Sequence, residues 1–258
     1  MLSQIRLVQF TVKALQIPRM ANGILGLLNW TRPLDGGRLR YRIRYFDSVV
    51  LAREMFSGSE YGAIEEDIRN IRSFVDLGCN VGYFPLFLCQ LRGDKEIRGL
   101  CVDANPQMIA EARRNAAING LDDVMFRHGL IASGDAGTEA EFWITQNSMS
   151  STTDAGSLGS RFGARKTLVP VLDPLAAFRE RFRNDRIDLL KIDVEGMELE
   201  LMTCNPGLVD AADRIILEFH KPRVTLDAAT THLAKRGFRR KFANDKPNLP
   251  WGIAYFVR

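Results

Sequence analysis

Between positions 38 and 45 the chain alternates strictly, with Arg38, Arg40, Arg42 and Arg44 on one side and Leu39, Tyr41, Ile43 and Tyr45 on the other. The pattern predicts a β-strand with an arginine face. Upstream, residues 3–30 set apolar side chains at helical spacing around Lys13, and Pro18 divides them into two short helices. Residues 31–37, rich in Pro, Asp and Gly, read as a turn. Beyond 45, helical segments at 50–56 and 64–71 lead into a regular alternation. Strand 73–78, helix 83–92, strand 97–103, helix 106–118 and strand 124–131 come first, then a short strand at 141–145. Strand 166–172, helix 174–182, strand 187–192, helix 197–202, strand 214–219, helix 226–235 and strands 238–242 and 252–257 complete the order. Alternation of this kind predicts a parallel sheet with helices on both faces.

Helix 106–118 is the best delimited, with Asn105 as N-cap, Pro106 at the first helical position and Gly120 just past the end. Residues 146–165 carry Asn147, Ser148, Ser150, Ser151, Thr152 and Thr153 and almost no large apolar side chain. That segment reads either as a loop folding over an acceptor or as a surface hairpin.

The 258 residues suit one large α/β domain, residues 46–258, behind a basic extension, residues 1–45. The net charge of +4 is uneven: residues 1–50 hold eight Lys or Arg against Asp35 and Asp47, leaving 27 basic and 29 acidic residues in the remainder. Cys79, Cys89, Cys101 and Cys204 form no C-x-x-C pair, so neither a disulfide framework nor a zinc site is indicated and a reducing cytoplasm is expected. The apolar run 23–30 is far shorter than a bilayer span, and no export signal is evident.

Chemistry first shows where strand 73–78 runs into Gly78-Cys79-Asn80-Val81-Gly82 and a helix. A nicotinamide dinucleotide turn needs glycines where this chain has Asn80 and Tyr83, so a pyrophosphate loses its close backbone approach. A cofactor with an amino-acid end fits better, with Asp76 for its ammonium and Asn80 for hydrogen bonds. The next strand ends in Asp103, where a carboxylate can accept from both hydroxyls of a ribose. S-adenosylmethionine (SAM) meets both requirements.

Through segments 74–84, 102–121, 188–202 and 215–220 the chain resembles the FkbM family of SAM-dependent methyltransferases. The most specific stretch is Leu190-Lys191-Ile192-Asp193-Val194-Glu195-Gly196-Met197-Glu198. The resemblance implies a Rossmann-like class I methyltransferase fold, an α/β architecture with a seven-stranded, mostly parallel sheet. It also implies O-methylation of a hydroxyl on a small-molecule or saccharide acceptor. Carried onto this sequence, it implies that Asp76, Gly78, Asn80 and Gly82 hold the methionine part and Asp103 the ribose. Ala104 and Asn105 then meet the adenosine edge, and His128, Gly129 and Leu130 line the adenine. The sequence departs from the family at Cys79, where alanine is more usual.

An alcohol acceptor has a proton to lose, and Asp193 and His220 are the first candidates to take it, then Glu195, with Glu218 last. The plainer alternative is that Lys191 or Lys221 pairs with these acids and the cluster only knits loops together. No octahedral ligand set is fixed, so no metal is expected. The arginine strand reads either as an edge charged against aggregation or as a clamp for an anionic acceptor. With Lys235, Arg236, Arg239, Arg240 and Lys241 as a second basic group, modification of RNA is the runner-up, and a non-catalytic SAM-binding module the alternative outside enzymes. A homodimer is compatible with all of these.

Overall fold

A computed structural model describes residues 24–25, 30–57, 60–131, 137–144 and 165–258. The expected helices within 3–30 and nearly all of the Ser/Thr-rich loop at 146–165 lie outside the described residues. Trp30–Leu34 (β1) and Leu39–Ile43 (β2) form a separate antiparallel hairpin. The stretch expected to be a turn is therefore largely strand. Pro33 hides the strand in the sequence, yet an edge strand tolerates a residue that cannot donate. Asp35, Gly36 and Gly37, all at positive φ, reverse the chain together with Arg38.

Phe46–Ser57 (α1) and a 3-10 segment, Tyr61–Asn70, lead to Ser73–Leu77 (β3), Tyr83–Arg92 (α2), Arg98–Asp103 (β4), Pro106–Ala117 (α3) and Val124–His128 (β5). Leu130–Ile131 (β6), Glu139–Ile144 (β7) and Arg165–Leu172 (β8) form a small sheet of order β6-β8-β7. Then come Pro174–Phe182 (α4), Leu189–Ile192 (β9), Glu198–Cys204 (α5), Pro206–Ala211 (α6), Arg214–His220 (β10), Leu226–Ala234 (α7), Arg239–Asn244 (β11) and Trp251–Val257 (β12). The strand expected over 124–131 breaks at Gly129, where an added Cβ would stand 2.4 Å from Leu172. Helix α6 was not anticipated; Asn205-Pro206 starts it, with proline at its first turn.

The main sheet has seven strands in the order β11-β12-β10-β9-β3-β4-β5, parallel except for β12. It is the Rossmann-like methyltransferase architecture that the resemblance implies. From β3 the chain winds outward through β4 and β5, then returns to place β9 on the other side of β3. Such a reversal opens a crevice at the carboxyl ends of the two strands.

The sheet separates two apolar layers. Phe74, Phe84, Leu86 and Met108 pack on one face, and Val75, Leu77, Ile192 and Phe219 on the other. Each such side chain, fully buried, contributes roughly 1.5–3 kcal/mol. One charged pair interrupts the apolar pattern. Asp76, wholly buried within β3, has Lys191 of β9 as its lateral partner, and Lys191 Nζ lies 3.1 Å from Asp76 Oδ1.

The hairpin docks on α3 through two asparagines one helical turn apart. The amide N–H of Arg40 donates to Asn119 Oδ1 at 2.8 Å, that of Arg42 to Asn115 Oδ1 at 2.8 Å, and Asn119 Nδ2 donates to the Arg40 carbonyl at 2.7 Å. Arg42 Nε meets the wholly buried Glu111 at 2.6 Å. The arginine row is thus divided in use: Arg42 anchors the hairpin, Arg38 pairs with Asp35, and Arg40 stays exposed. No helix among the described residues is long and apolar enough to cross a membrane.

Candidate active site

At the switch point the turn after β3 is left-handed three times, with φ +82 at Gly78, +48 at Asn80 and +73 at Gly82. The glycines answer crowding by the protein itself. An added Cβ would stand 1.8 Å from the Asp193 carbonyl oxygen at Gly78, and 2.8 Å from Ala112 Cβ at Gly82. Gly78 joins the turn to the end of β9, and Gly82 seats it on α3. Gly78 and Cys79 donate their N–H groups to the Val102 carbonyl at 2.9 and 3.0 Å, which holds the turn against β4.

Asp103 ends β4 and binds the turn in place. Its Oδ2 accepts from the Asn80 N–H and its Oδ1 from the Asn105 N–H, both at 2.8 Å. Burial pushes its carboxyl up to about 6 even against these two donors. Each oxygen retains a lone pair, so a diol can still be received. Asn105 caps α3 by accepting from the Gln107 N–H at 3.0 Å. His128 Nε2 lies 3.0 Å from the Ala104 carbonyl, the Gly129 N–H donates to the Asp103 carbonyl, and Leu130 packs against Ala104. The structure thus brings Asp103, Ala104, Asn105, His128, Gly129 and Leu130 together at the ends of β4 and β5.

SAM suits this half of the crevice. Asn80 Oδ1 is buried without a hydrogen-bond partner, an acceptor that needs a donor from outside the chain. Asp76 lies deeper than its motif suggests: burial raises its carboxyl, and Lys191, not open space, faces it.

Across the crevice the charges crowd. Lys191 Nζ reaches Asp193 Oδ2 at 3.2 Å as well as Asp76. Burial alone would lower the lysine, but Asp76, Asp193 and Glu218 outweigh it and hold its ammonium above the ordinary range. His220 Nδ1 lies 2.7 Å from Glu198 Oε1, while its Nε2 faces Glu195 at 3.6 Å and Glu218 at 3.8 Å. Burial works against the imidazolium, yet the Glu198 hydrogen bond with Asp193 and Glu195 holds its pKa at about 10. Glu195, left-handed at φ +54, is lifted to about 8 by burial, with Asp193 and Glu198 adding to the rise. Burial and then Asp193 carry Glu218 well above the ordinary carboxylate range, and Tyr61 donates to it at 3.0 Å.

Asp193, Glu195 and His220, expected from sequence, therefore do converge. Lys191 pairs with the acids while Lys221 turns away to Asp245. Glu198 carries a role that the sequence did not show, and Tyr61, which the family resemblance places with Glu60 near the same mouth, takes a definite partner. Glu198 is wholly buried behind His220, and Tyr61 reaches Glu218 across 157 positions. Glu198 stands in the specific stretch, but nothing in its spacing reveals that it faces a strand 22 residues on.

Comparison with known proteins bears on the acceptor. The 23S rRNA (uracil(1939)-C(5))-methyltransferase RlmD of Shewanella sp. (strain ANA-3) is 41% identical over 59 residues, which is 23% of this chain and 12% of that protein. Ribosomal protein L11 methylase from Lactobacillus delbrueckii subsp. bulgaricus has TM-score 0.45 and 15% identity, covering 78% of this chain and 79% of its own. M. capricolum TrmK, solved with S-adenosylhomocysteine, has TM-score 0.45 and 11% identity, covering 76% and 67%. The curated relative overturns the expected small-molecule or saccharide hydroxyl acceptor, and with it the secondary place given to nucleic acid. The fold supplies a physical reason: Arg32, Arg38 and Arg40 are exposed on the hairpin, a broader basic surface than a neutral sugar requires. The methyltransferase FkbM domain itself matches residues 76–240, well over half of the chain, so the protein belongs to the FkbM family and is a SAM-dependent methyltransferase.

Proposed function

We propose that this chain transfers the methyl group of SAM to RNA. The likeness to a 23S rRNA methyltransferase carries the reading. The hairpin supports it. Arg32 stacks its guanidinium 4.1 Å over the exposed Trp30 ring, and Arg32 and Arg53 rim a cavity of ≈ 430 Å³ lined by Tyr41 and Phe56. Guanidinium groups grip phosphates, and aromatic faces stack bases. The second basic group is more engaged, since Lys241 pairs with Glu66 and Asp67, and Arg236 with Asp210. In this reading residues 1–45 grip the acceptor and residues 46–258 perform the transfer. The free cysteines suit a reducing cytoplasm.

The residues divide accordingly. Asp103 receives the ribose hydroxyls, Ala104 and Asn105 meet the adenosine edge, and His128, Gly129 and Leu130 line the adenine. Asp76, through Lys191, together with Gly78, Asn80 and Gly82, shapes the methionine end. When bound, SAM supplies an electrophilic methyl carbon. The chain aligns the acceptor and excludes water, and the cluster of Asp193, Glu195 and His220 governs the acceptor's proton. In this reading the acceptor is an N–H or O–H of a nucleotide, whose proton that cluster can take.

The test is transfer of label from radiolabelled SAM to total RNA, with DNA and oligosaccharides alongside. Label should enter RNA, and binding should weaken steeply with salt. Replacing Arg32, Arg38 and Arg40 by serine should lower the salt slope by about one for each phosphate contact removed. Label in oligosaccharide and none in RNA would overturn the proposal.

A further inference from the structure

Asp193, Glu195 and His220 bring one ligand atom each to within 4.8 Å of the other two. A bound cation keeps nitrogen and oxygen ligands about 2.0–2.2 Å away, so neighbours in its shell stand roughly 3–4 Å apart. His220 Nε2 and Glu195 Oε2 are separated by 3.6 Å.

The histidine is already turned for this task. Glu198 Oε1 already accepts from the Gly196 N–H, and at 2.7 Å it takes Nδ1 as a second donor. Glu198 is itself fixed by the Gly196 N–H at 2.8 Å, is wholly buried, and keeps its second oxygen without a hydrogen-bond partner. Nε2 is thereby left facing Glu195 and Glu218. Metal-bound imidazoles are oriented in the same way, by a carboxylate on the opposite ring nitrogen. Lys191 balances only part of this charge, because its ammonium is shared between Asp76 and Asp193 and reaches neither Glu195 nor His220.

We propose that Asp193, Glu195 and His220 bind a divalent cation of the Mn²⁺ or Mg²⁺ class, with Glu198 as the positioning residue behind the histidine. Two carboxylates supply the hard oxygens that such ions take, the imidazole adds a borderline nitrogen that Mn²⁺ accepts more readily than Mg²⁺, and the set contains no thiolate. Three protein ligands leave positions open for an oxygen of the acceptor nucleotide. Only that last role rests on the RNA reading; the binding itself does not.

The experiment titrates Mn²⁺ into the full chain after EDTA stripping, without SAM or RNA, and reads free Mn²⁺ by electron paramagnetic resonance. One equivalent should bind saturably. Glu198→Gln should weaken binding roughly 10–100-fold at an unchanged Tm, and Glu195→Gln should weaken it further. Should Glu198→Gln fail to fold, Glu195→Gln on the partly exposed turn decides the matter. Absence of saturable binding at millimolar Mn²⁺, or a Glu195→Gln variant that binds as the parent does, would overturn the site. A chain that binds Mn²⁺ and labels no RNA keeps the site and loses the RNA acceptor.

Discussion

At the end of β4, Asp103 is a carboxylate with a backbone donor on each oxygen, set in a turn whose bends are fixed by packing. Opposite it, at the ends of β9 and β10, Asp193, Glu195, Glu218 and His220 stand within reach of one another around a single buried lysine. Both halves bury acids, and they satisfy them differently. On the first side, hydrogen bonds from the chain do most of the work, and what remains is a lone pair on each oxygen and one orphaned amide oxygen on Asn80. On the second side, negative charge exceeds the positive charge near it, and it is relieved by retained protons on His220 and Glu195. A neutral diol fits the first arrangement, while a proton, a cation or a reacting acceptor fits the second.

The contact between the halves is the most sensitive place to break. Gly78→Ala puts a methyl group into the Asp193 carbonyl at a left-handed position, and should cost about 4 kcal/mol or more. A chemical denaturation curve unchanged from the parent would show that the two halves do not touch there. Asp103→Ala should weaken SAM binding about 100-fold, the loss of two charged hydrogen bonds at about 1.5 kcal/mol each; calorimetry reads it. Glu195→Gln should leave SAM affinity unchanged and lower the transfer rate about 100-fold. A Glu195 variant that lost SAM affinity and kept its rate would reverse the assignment of the two halves.

pH separates the halves more finely. The Asp103 carboxyl stands at about 6, above its ordinary value of 3.8. A raised carboxyl makes ionisation costly to the fold, so its contribution to stability is full below the unfolded value and is lost as pH rises through about 6. Binding has the opposite sense, because a diol donates to the ionised form. SAM affinity should fall roughly tenfold per pH unit below about 6, measured with the Asp103→Asn variant as the pH-insensitive control. The smallest effect belongs outside both halves. Asn119→Ala removes the amide from the β2 edge and should lower stability by about 1–3 kcal/mol, seen in Tm, without changing SAM affinity.

Much of this was legible in advance, and what was not has a common cause. Helix 83–92 lies between Gly82 and Gly93, and helix 174–182 starts on the Asp173 cap, because caps and glycines are local signals. Asp103 was legible for the same reason, as an acid at the end of an apolar strand. Asp76 looked like a ligand and proved to be buried opposite Lys191, since lateral register between strands 115 positions apart has no local trace. What Glu198 and Tyr61 face was hidden likewise. Their partners lie on β10, and only the folded sheet brings them there. Strand β1 was missed because proline at an edge resembles proline in a turn.

Helix α3 is capped by Asn105, beside Asp103, and carries Asn115 near its tail with Asn119 in the turn just past its end, both against the hairpin. Over its 12 residues it is a rod about 18 Å long. One residue inserted in it would swing the tail by about 100° and slide it by about 1.5 Å. The number of residues between Asn105 and Asn119 therefore sets the phase between adenosine edge and basic hairpin, and single-residue insertions or deletions in this helix should be tolerated far less than substitutions on its outer face.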